Sequence, residues 1–312
     1  MACAEPDDTS CVWFRRTIVS PTDGSLMQRP REALLHVATT GKLIIYVNNR
    51  IASLALYMPE RASGDTSVVG LTLDVRRFMR PDTNTIAIAY CPSIRTRRQL
   101  SATLYGKRAD GSRFAIGGVD GWLCRRANRW LTADGGEATD PASYPYPWTS
   151  ATQPLALWLA AEGYESQSND KKVNESKNDK KTSVGKPMTD IGLDPSDIFP
   201  LSVVTHLPLA ANGPVAKRVS QPMLTEQTTG KLVYALPLNF SGFVRVTLRG
   251  CRRGEQIHIG NLLYVCSGID DEQAFACFVP YTGNSIVVSG DRHFRSSQVQ
   301  NVEAIESSLV ES

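Results

Sequence analysis

"ALLHVATTGKLIIYVNNRIA", residues 33–52, holds two apolar runs, each the length of a strand, separated by Thr-Thr-Gly-Lys and closed by Asn-Asn-Arg. Runs this short, rich in Val, Ile, Leu and Tyr and bounded by turn-forming residues, read as antiparallel strands and not as helices. Working outward, the same rhythm recurs in "IASLALYM" (51–58), "LTLDV" (71–75), "NTIAIAYC" (84–91), "LSATLYG" (100–106) and "RFAIGG" (113–118). Between them, "RASGDTS", "RPDTN" and "RADGS" supply Gly, Asn, Asp and Pro where the backbone must reverse. "VRRFMRP" (75–81) reads as a single helical turn, and "PLALWLAAEGY" (154–164) as a short helix.

The middle changes character. "ESQSNDKKVNESKNDKKTSVGK" (165–186) has no aromatic residue and no apolar period, so it buries too little surface to offset its ordering entropy. Beyond it the strand rhythm returns in "LSVVTHLPL" (201–209), "KLVYALPL" (231–238), "GFVRVTLRG" (242–250), "EQIHIGNLLYV" (255–265), "DEQAFACFVP" (271–280), "NSIVVSG" (284–290) and "VQNVEAI" (299–305). The expectation is an all-β protein: two antiparallel β-sandwiches of jelly-roll type in tandem, at 1–164 and 191–312, joined by a lysine-rich linker or mobile loop at 165–190.

Composition limits the function classes. With 312 residues and 42% apolar residues, the chain is long enough for two ordinary cores. A formal net charge of +3 leaves no global field for nucleic acid or an anionic membrane. No apolar run approaches the ~20 residues of a transmembrane segment, and "MACAEPDDTSC" lacks the apolar region of a signal peptide, so the sequence as it stands reads as soluble. "CAEPDD" from Cys3 would suit the mature start of a surface lipoprotein had an upstream leader been removed, which would place the protein outside the cytoplasm. The seven cysteines include no C-x-x-C pair and no zinc spacing with histidine; buried thiols are the simpler reading, and the redox compartment stays open.

Catalytic patterns are sparse. There is no G-x-S-x-G elbow, and the four histidines, His36, His206, His258 and His293, are scattered. Glycoside cleavage needs two carboxylates flanking a bond, and carboxylates do cluster at Glu137 and Asp140 and again at Asp270, Asp271 and Glu272. Sugar binding asks for less: an aromatic plane and a few fixed polar groups on a rigid scaffold. The stretch from Trp130 offers Trp130, Tyr144, Tyr146 and Trp148 as planes, with Asp134, Glu137 and Asp140 as acceptors or calcium-compatible oxygens. The competing reading is that these rings fold inward and plug the open end of the sandwich.

Together, "VWFRRTI", "ALLHVATTGKLIIYVNNRIA" and "LTLDVRRFMRPDTNTIAIAY" resemble the N-terminal galactose-binding-like sandwich of bacterial alpha-L-rhamnosidases. Trp13, Phe14, Arg15, Tyr46, Asn48, Asp74, Arg80, Pro81 and Asn84 stand at matching places, and Asn49 replaces a usual glycine, keeping tolerance for positive φ in the hairpin. Trp122, Gly136, Glu137, Asp140 and Trp148 continue the resemblance, with Ala142 where an arginine is expected and Asp134 the one acid before the Gly-Glu pair. "NFSGFVRVTLRG", through Asn239, Phe240, Ser241, Gly242, Val244, Arg245 and Gly250, together with Gly254, resembles the family's next β domain.

The resemblance implies two non-catalytic modules and an accessory or carbohydrate-binding role toward a rhamnose- or galactose-containing glycan, with calcium as the metal that some members use. In the family an α-helical barrel with the acidic catalytic residues follows; no position here matches it, so no catalytic residue carries over. Two alternatives stay open: a fragment or divergent glycoside hydrolase acting on rhamnosides, and a structural subunit that docks a separate catalytic chain.

Overall fold

The computed structural model describes residues 1, 3, 7–19, 29–60, 67–93, 98–144, 148–151, 156–163, 204–206 and 213–309; the expected linker at 165–190 lies outside them. In chain order the first half carries β1 (Ser10–Val19), β2 (Glu32–Thr39), β3 (Lys42–Val47), β4 (Arg50–Ile51), β5 (Val68–Asp74), β6 (Thr83–Cys91), β7 (Leu100–Lys107), β8 (Arg113–Ile116), β9 (Trp122–Leu131), β10 (Glu137–Thr139) and β11 (Leu159–Ala160). The second carries β12 (Val204–His206), β13 (Pro214–Ser220), β14 (Met223–Thr228), β15 (Lys231–Arg249), β16 (Gln256–Ile259), β17 (Leu262–Val265), β18 (Asp271–Phe275), β19 (Tyr281–Gly290) and β20 (Val299–Leu309). The described residues form no α-helix, only 3-10 turns such as Arg76–Phe78, and no helix among them is long and apolar enough to cross a membrane.

Two sheets result. The smaller runs β12-β5-β2-β7-β8; the larger has fifteen strands along β13-β20-β15-β19-β16-β17-β10-β9-β1-β6-β3-β4, with β11 on β9 and β14 and β18 on β15. The halves share this larger sheet because β10 pairs antiparallel with β9 and parallel with β17. β12, read from sequence as part of the second unit, hydrogen-bonds in parallel to β5 of the first.

The sheet formed by β1, β3 and β6 is buried on both faces, which accounts for the near-continuous apolar runs there. Val12, Phe14, Leu43, Ile45, Ile86, Ile88 and Tyr90 point into the first sandwich core with Leu35, Val37, Leu71 and Leu104 of the smaller sheet. Cys11, Trp13, Ile44, Ala87, Ala89 and Cys91 point the other way and join the core of the second half, with Phe240, Phe243, Ile257, Ile259 and Val246. Along β6 the sandwich side is large and the opposite side small. Ala89 lies opposite both Trp13 and Ile44, so the missing bulk there leaves depth for indole rings.

The β3–β4 hairpin turns at Asn48 (φ 51°) and Asn49 (φ 68°), the left-handed pair that a two-residue turn requires. Asn48 does more than turn the chain: its Nδ2 donates to Phe78 O and Asn84 Oδ1, both at 2.8 Å, and its Oδ1 accepts from Thr85 N at 2.9 Å. Asn84 in turn accepts from Arg80 N at 2.7 Å and donates to Arg80 O at 3.0 Å. The two amides thereby pin the hairpin to the loop that enters β6. In the second half, Gly242 lets β15 pass β20 closely, since a Cβ there would stand 2.1 Å from Ile305 O.

Several expectations are corrected. The stretch 51–58 is strand only at its start; the rest bends, touching the sheet through the Leu43–Met58 bridge. The helix expected at 154–164 is absent from its described part, 156–163, where Trp158 turns inward and β11 adds two residues to β9. The runs 231–238 and 242–250 are one strand, β15, bent where its pairing with β19 slips between Ala235 and Phe240. The run 255–265 is a hairpin, β16 and β17, around Gly260 (φ 57°).

Asn48→Ala should destabilise the fold by about 2–4 kcal/mol, combining left-handed strain with an orphaned Thr85 N–H. Asn48→Gly should recover the strain part only. Urea titration followed by tryptophan fluorescence reads both, and equal stabilities for wild type and Asn48→Ala would contradict the amide lock.

Candidate functional site

The loop singled out from sequence begins as a hairpin. β9 ends at Leu131, the chain turns through Thr132–Gly136 with Gly135 N donating to Thr132 O at 3.0 Å, and β10 returns. Gly136 is compressed against the second half: a Cβ there would stand 2.2 Å from Asn261 O, whose carbonyl accepts from Glu137 N at 2.9 Å. The register sets Arg129 opposite Thr139 and Leu131 opposite Glu137, so Arg129 and Glu137 share one face of the ribbon.

Glu137 has no exposed surface. Its Oε1 accepts from Arg129 Nη1 at 2.5 Å, and both oxygens accept from Cys277 N at 3.0 Å. Its Oε2 also accepts from Phe278 N at 2.8 Å and Val279 N at 3.2 Å. These three amides lie between β18 and β19, in a segment without strand partners. The carbonyls of the same segment are met as well: Phe275 O by Arg129 Nη1 at 3.0 Å, Phe278 O by Lys42 Nζ at 2.8 Å, and Pro280 O by Asn261 Nδ2 at 3.1 Å. Lys42 also lies 4.2 Å from the centre of the Tyr57 ring, and its burial lowers the ammonium pKa while Glu60 pulls it back. Burial pushes the Cys277 thiol up to about 12, with Arg129 opposing and Glu137 adding to the shift.

The aromatic part of the loop closes over β1. Trp148, 2% exposed, stacks on Trp13 at 5.2 Å and on Trp158 at 6.5 Å and meets Tyr46 edge-on at 5.6 Å. Its Nε1 donates to Tyr144 Oη at 3.0 Å. The buried Arg15 guanidinium lies 5.5 Å from the Trp158 ring and donates from Nη2 to Ser150 O at 2.8 Å. Thr149 donates to the Asn49 side chain, tying this lid to the β3–β4 hairpin. Burying one indole removes about 200 Å² from water, worth roughly 4–6 kcal/mol before entropy, so Trp148 does not leave this stack to meet a sugar.

The predicted site residues therefore separate. Glu137 and Trp148 are interior, the first because every acceptor position points at an internal donor, the second because it is sandwiched between two rings. Trp130 is half-buried, Asp134 is exposed at the hairpin tip where Thr132 Oγ1 donates to it, and that bond lowers the Asp134 pKa. Asp140 caps the 3-10 turn Pro141–Ser143, accepting from Ala142 N at 3.0 Å. Tyr144 is 43% exposed, with its ring edge-on to Trp13 at 5.5 Å. Tyr146 lies outside the described residues.

As a calcium shell the acids do not fit together. Asp134 and Asp140 stand at opposite ends of β10, Glu137 between them is saturated, and among the described residues no three His, Cys, Asp or Glu side chains group as metal ligands. The second acidic cluster also divides. Along β18 Asp271 points out to Arg249 Nε at 2.7 Å, while Glu272 points in and accepts from Tyr264 Oη, Ser267 N and Gly268 N at 2.7–3.0 Å.

Arg129, Lys42, Trp13 and Trp158 were not singled out as a group from sequence. The Arg129–Glu137 pair had a legible signal: "TADGG" (132–136) is turn chemistry, and a hairpin through it puts the two on one face. Lys42 had none, because its partner is 236 residues away.

No protein-family model and no curated protein matches the chain. Solved structures do. The fold is similar to alpha-L-rhamnosidase from Dictyoglumus thermophilum (13% identity, TM-score 0.72, covering 96% of this chain and 32% of that one). It is equally similar to Streptomyces avermitilis alpha-L-rhamnosidase complexed with L-rhamnose (17%, 0.71, 97% and 29%) and to the Aspergillus terreus enzyme (16%, 0.71, 99% and 36%). The chain thus spans about a third of the length of the rhamnosidases it matches.

Glu137→Ala should lower the unfolding free energy by about 3–5 kcal/mol, because Arg129 and three amides lose their acceptor together. Arg129→Met should cost less, and Arg129→Met/Glu137→Leu less than the sum of the singles. Chemical denaturation of the four proteins measures the coupling, and strict additivity would show that the pair does not act as a unit.

Proposed function

We propose that this chain is a carbohydrate-binding or accessory β-sandwich protein with no hydrolase chemistry of its own, directed at a rhamnose- or galactose-containing glycan. The observation that carries the reading is the match of nearly the whole chain to about a third of alpha-L-rhamnosidase chains, one of them solved with L-rhamnose. On this reading the accessible part of the hairpin and lid meets the sugar. Trp130 and Tyr144 offer ring faces or edges, and Asp134 and Asp140 offer acceptors; Glu137 and Trp148 hold the platform from behind.

The expected outcome of calorimetric titration is a saturable heat with L-rhamnose, galactose or a rhamnose-rich polysaccharide, lost in Trp130→Ala or Tyr144→Ala variants whose circular dichroism shows the fold intact. Flat heats across a wide neutral panel, with and without calcium, would count against the reading.

A second reading, a subunit that docks a catalytic chain, is favoured by the second half's surface. β14 is exposed along its length, and Val219, Met223, Leu224 and Leu238 leave apolar area uncovered. A glycosidase bound in trans and released by Met223→Glu/Leu224→Glu would support it; a chain that stays free of any such enzyme at high concentration would not.

A further inference from the structure

The loops that join β15 to β16 and β19 to β20 enclose an open cavity of about 470 Å³, within the range that holds a saccharide unit. Arg252, Arg253, Arg292 and His293 line it, with Glu255 and Asp291. The two acids are occupied elsewhere. Glu255 is buried and accepts from Arg252 N at 2.8 Å and from Gln298 Nε2 at 3.0 and 3.1 Å. Asp291 accepts from His293 N at 2.8 Å and Gln256 N at 3.3 Å. No ion pair among the described residues involves the three guanidiniums.

The histidine makes the donor excess explicit. Arg252 Nη1 lies 3.3 Å from its Nδ1 and Arg292 Nε lies 3.2 Å from its Nε2. A neutral imidazole has one acceptor nitrogen, so in either tautomer one guanidinium faces an N–H; in the protonated ring both do. The loop backbones are meanwhile fixed, with Gly254 N on Cys266 O at 2.8 Å and Phe294 N on Asp291 O at 3.0 Å. A cleft of set shape, with more donors than acceptors and planar cations at its wall, suits a planar or tetrahedral oxyanion.

We infer that this cleft, on the loops that join β15 to β16 and β19 to β20, receives the anionic group of an acidic saccharide, a uronate carboxylate or a sulfate ester. The inference rests on the carbohydrate reading above and adds a charged sugar to it.

The test is calorimetry on the full chain at physiological ionic strength with methyl β-D-glucuronide, galactose 6-sulfate, inorganic sulfate and methyl β-D-glucoside. Saturable binding of either acidic sugar, tighter than inorganic sulfate and weakened about tenfold or more in Arg252→Gln/Arg292→Gln, supports the site, and the better of the two names the oxyanion. Arg77→Gln/Arg113→Gln, at two exposed positions of the first half, serves as the charge-matched control and should bind as wild type. Absence of binding by both acidic sugars, binding unchanged in the double variant, or inorganic sulfate binding as tightly as the sugars overturns it. Neutral glycan binding retained at the hairpin while the acidic sugars fail would overturn this site alone.

Discussion

A carboxylate with no exposed surface holds the two halves of this protein in one sheet. Glu137 accepts from three consecutive amides across the junction and from a guanidinium of its own hairpin. Desolvating that charge costs several kcal/mol, and the cost is met only if all the donors stay in place. The hairpin, the 276–280 segment and the parallel pairing of β10 with β17 are therefore tied together through this one group. Compression at Gly136 belongs to the same constraint, since any side chain there would push Asn261 away and open the pocket that buries the acid.

That constraint decides what the aromatic loop can do. With β10 fixed from below, the chain leaving it is carried over β1, and Trp148 falls into the space that Ala87 and Ala89 leave above the sheet. The large-small alternation of β6 thus serves two layers at once, filling the first core with Ile86, Ile88 and Tyr90 while admitting an indole stack on the other side. A ligand surface on this loop is confined to what remains outside the stack.

Much of the fold was legible because it is local. Strands β2, β3, β6 and β7 follow from alternation and turn chemistry, the hairpin from two asparagines that accept positive φ, and the single turn at Arg76–Phe78 from its Pro-bounded context. What was not legible depends on distant partners. "PLALWLAAEGY" has helical composition, but Trp158 is drawn into a stack built by Trp13 and Trp148, and tertiary burial overrides propensity. β13 and β14 lack an apolar pattern because little of either is buried. The runs 231–238 and 242–250 belong to one strand, β15, because the sheet carries it through the irregularity between Ala235 and Phe240.

The carboxylates show the limit most clearly. Glu137, Glu255 and Glu272 are the buried glutamates among the described residues, and each accepts backbone N–H groups from a loop that has no strand to pair with: Cys277 to Val279, Arg252, and Ser267 with Gly268. A sheet protein with long connections must satisfy such amides internally, and a carboxylate with two oxygens closes a loop that a hydroxyl would leave half-satisfied. In sequence these acids stand near more accessible ones, Asp140 and Asp271, and so imitate an acid pair for glycoside cleavage. Strand alternation places Glu272 and Asp271 on opposite faces, and four donors occupy the lone pairs that a catalytic acid would need. Proximity along the chain carries chemical meaning only after the pleat has assigned each side chain to a face.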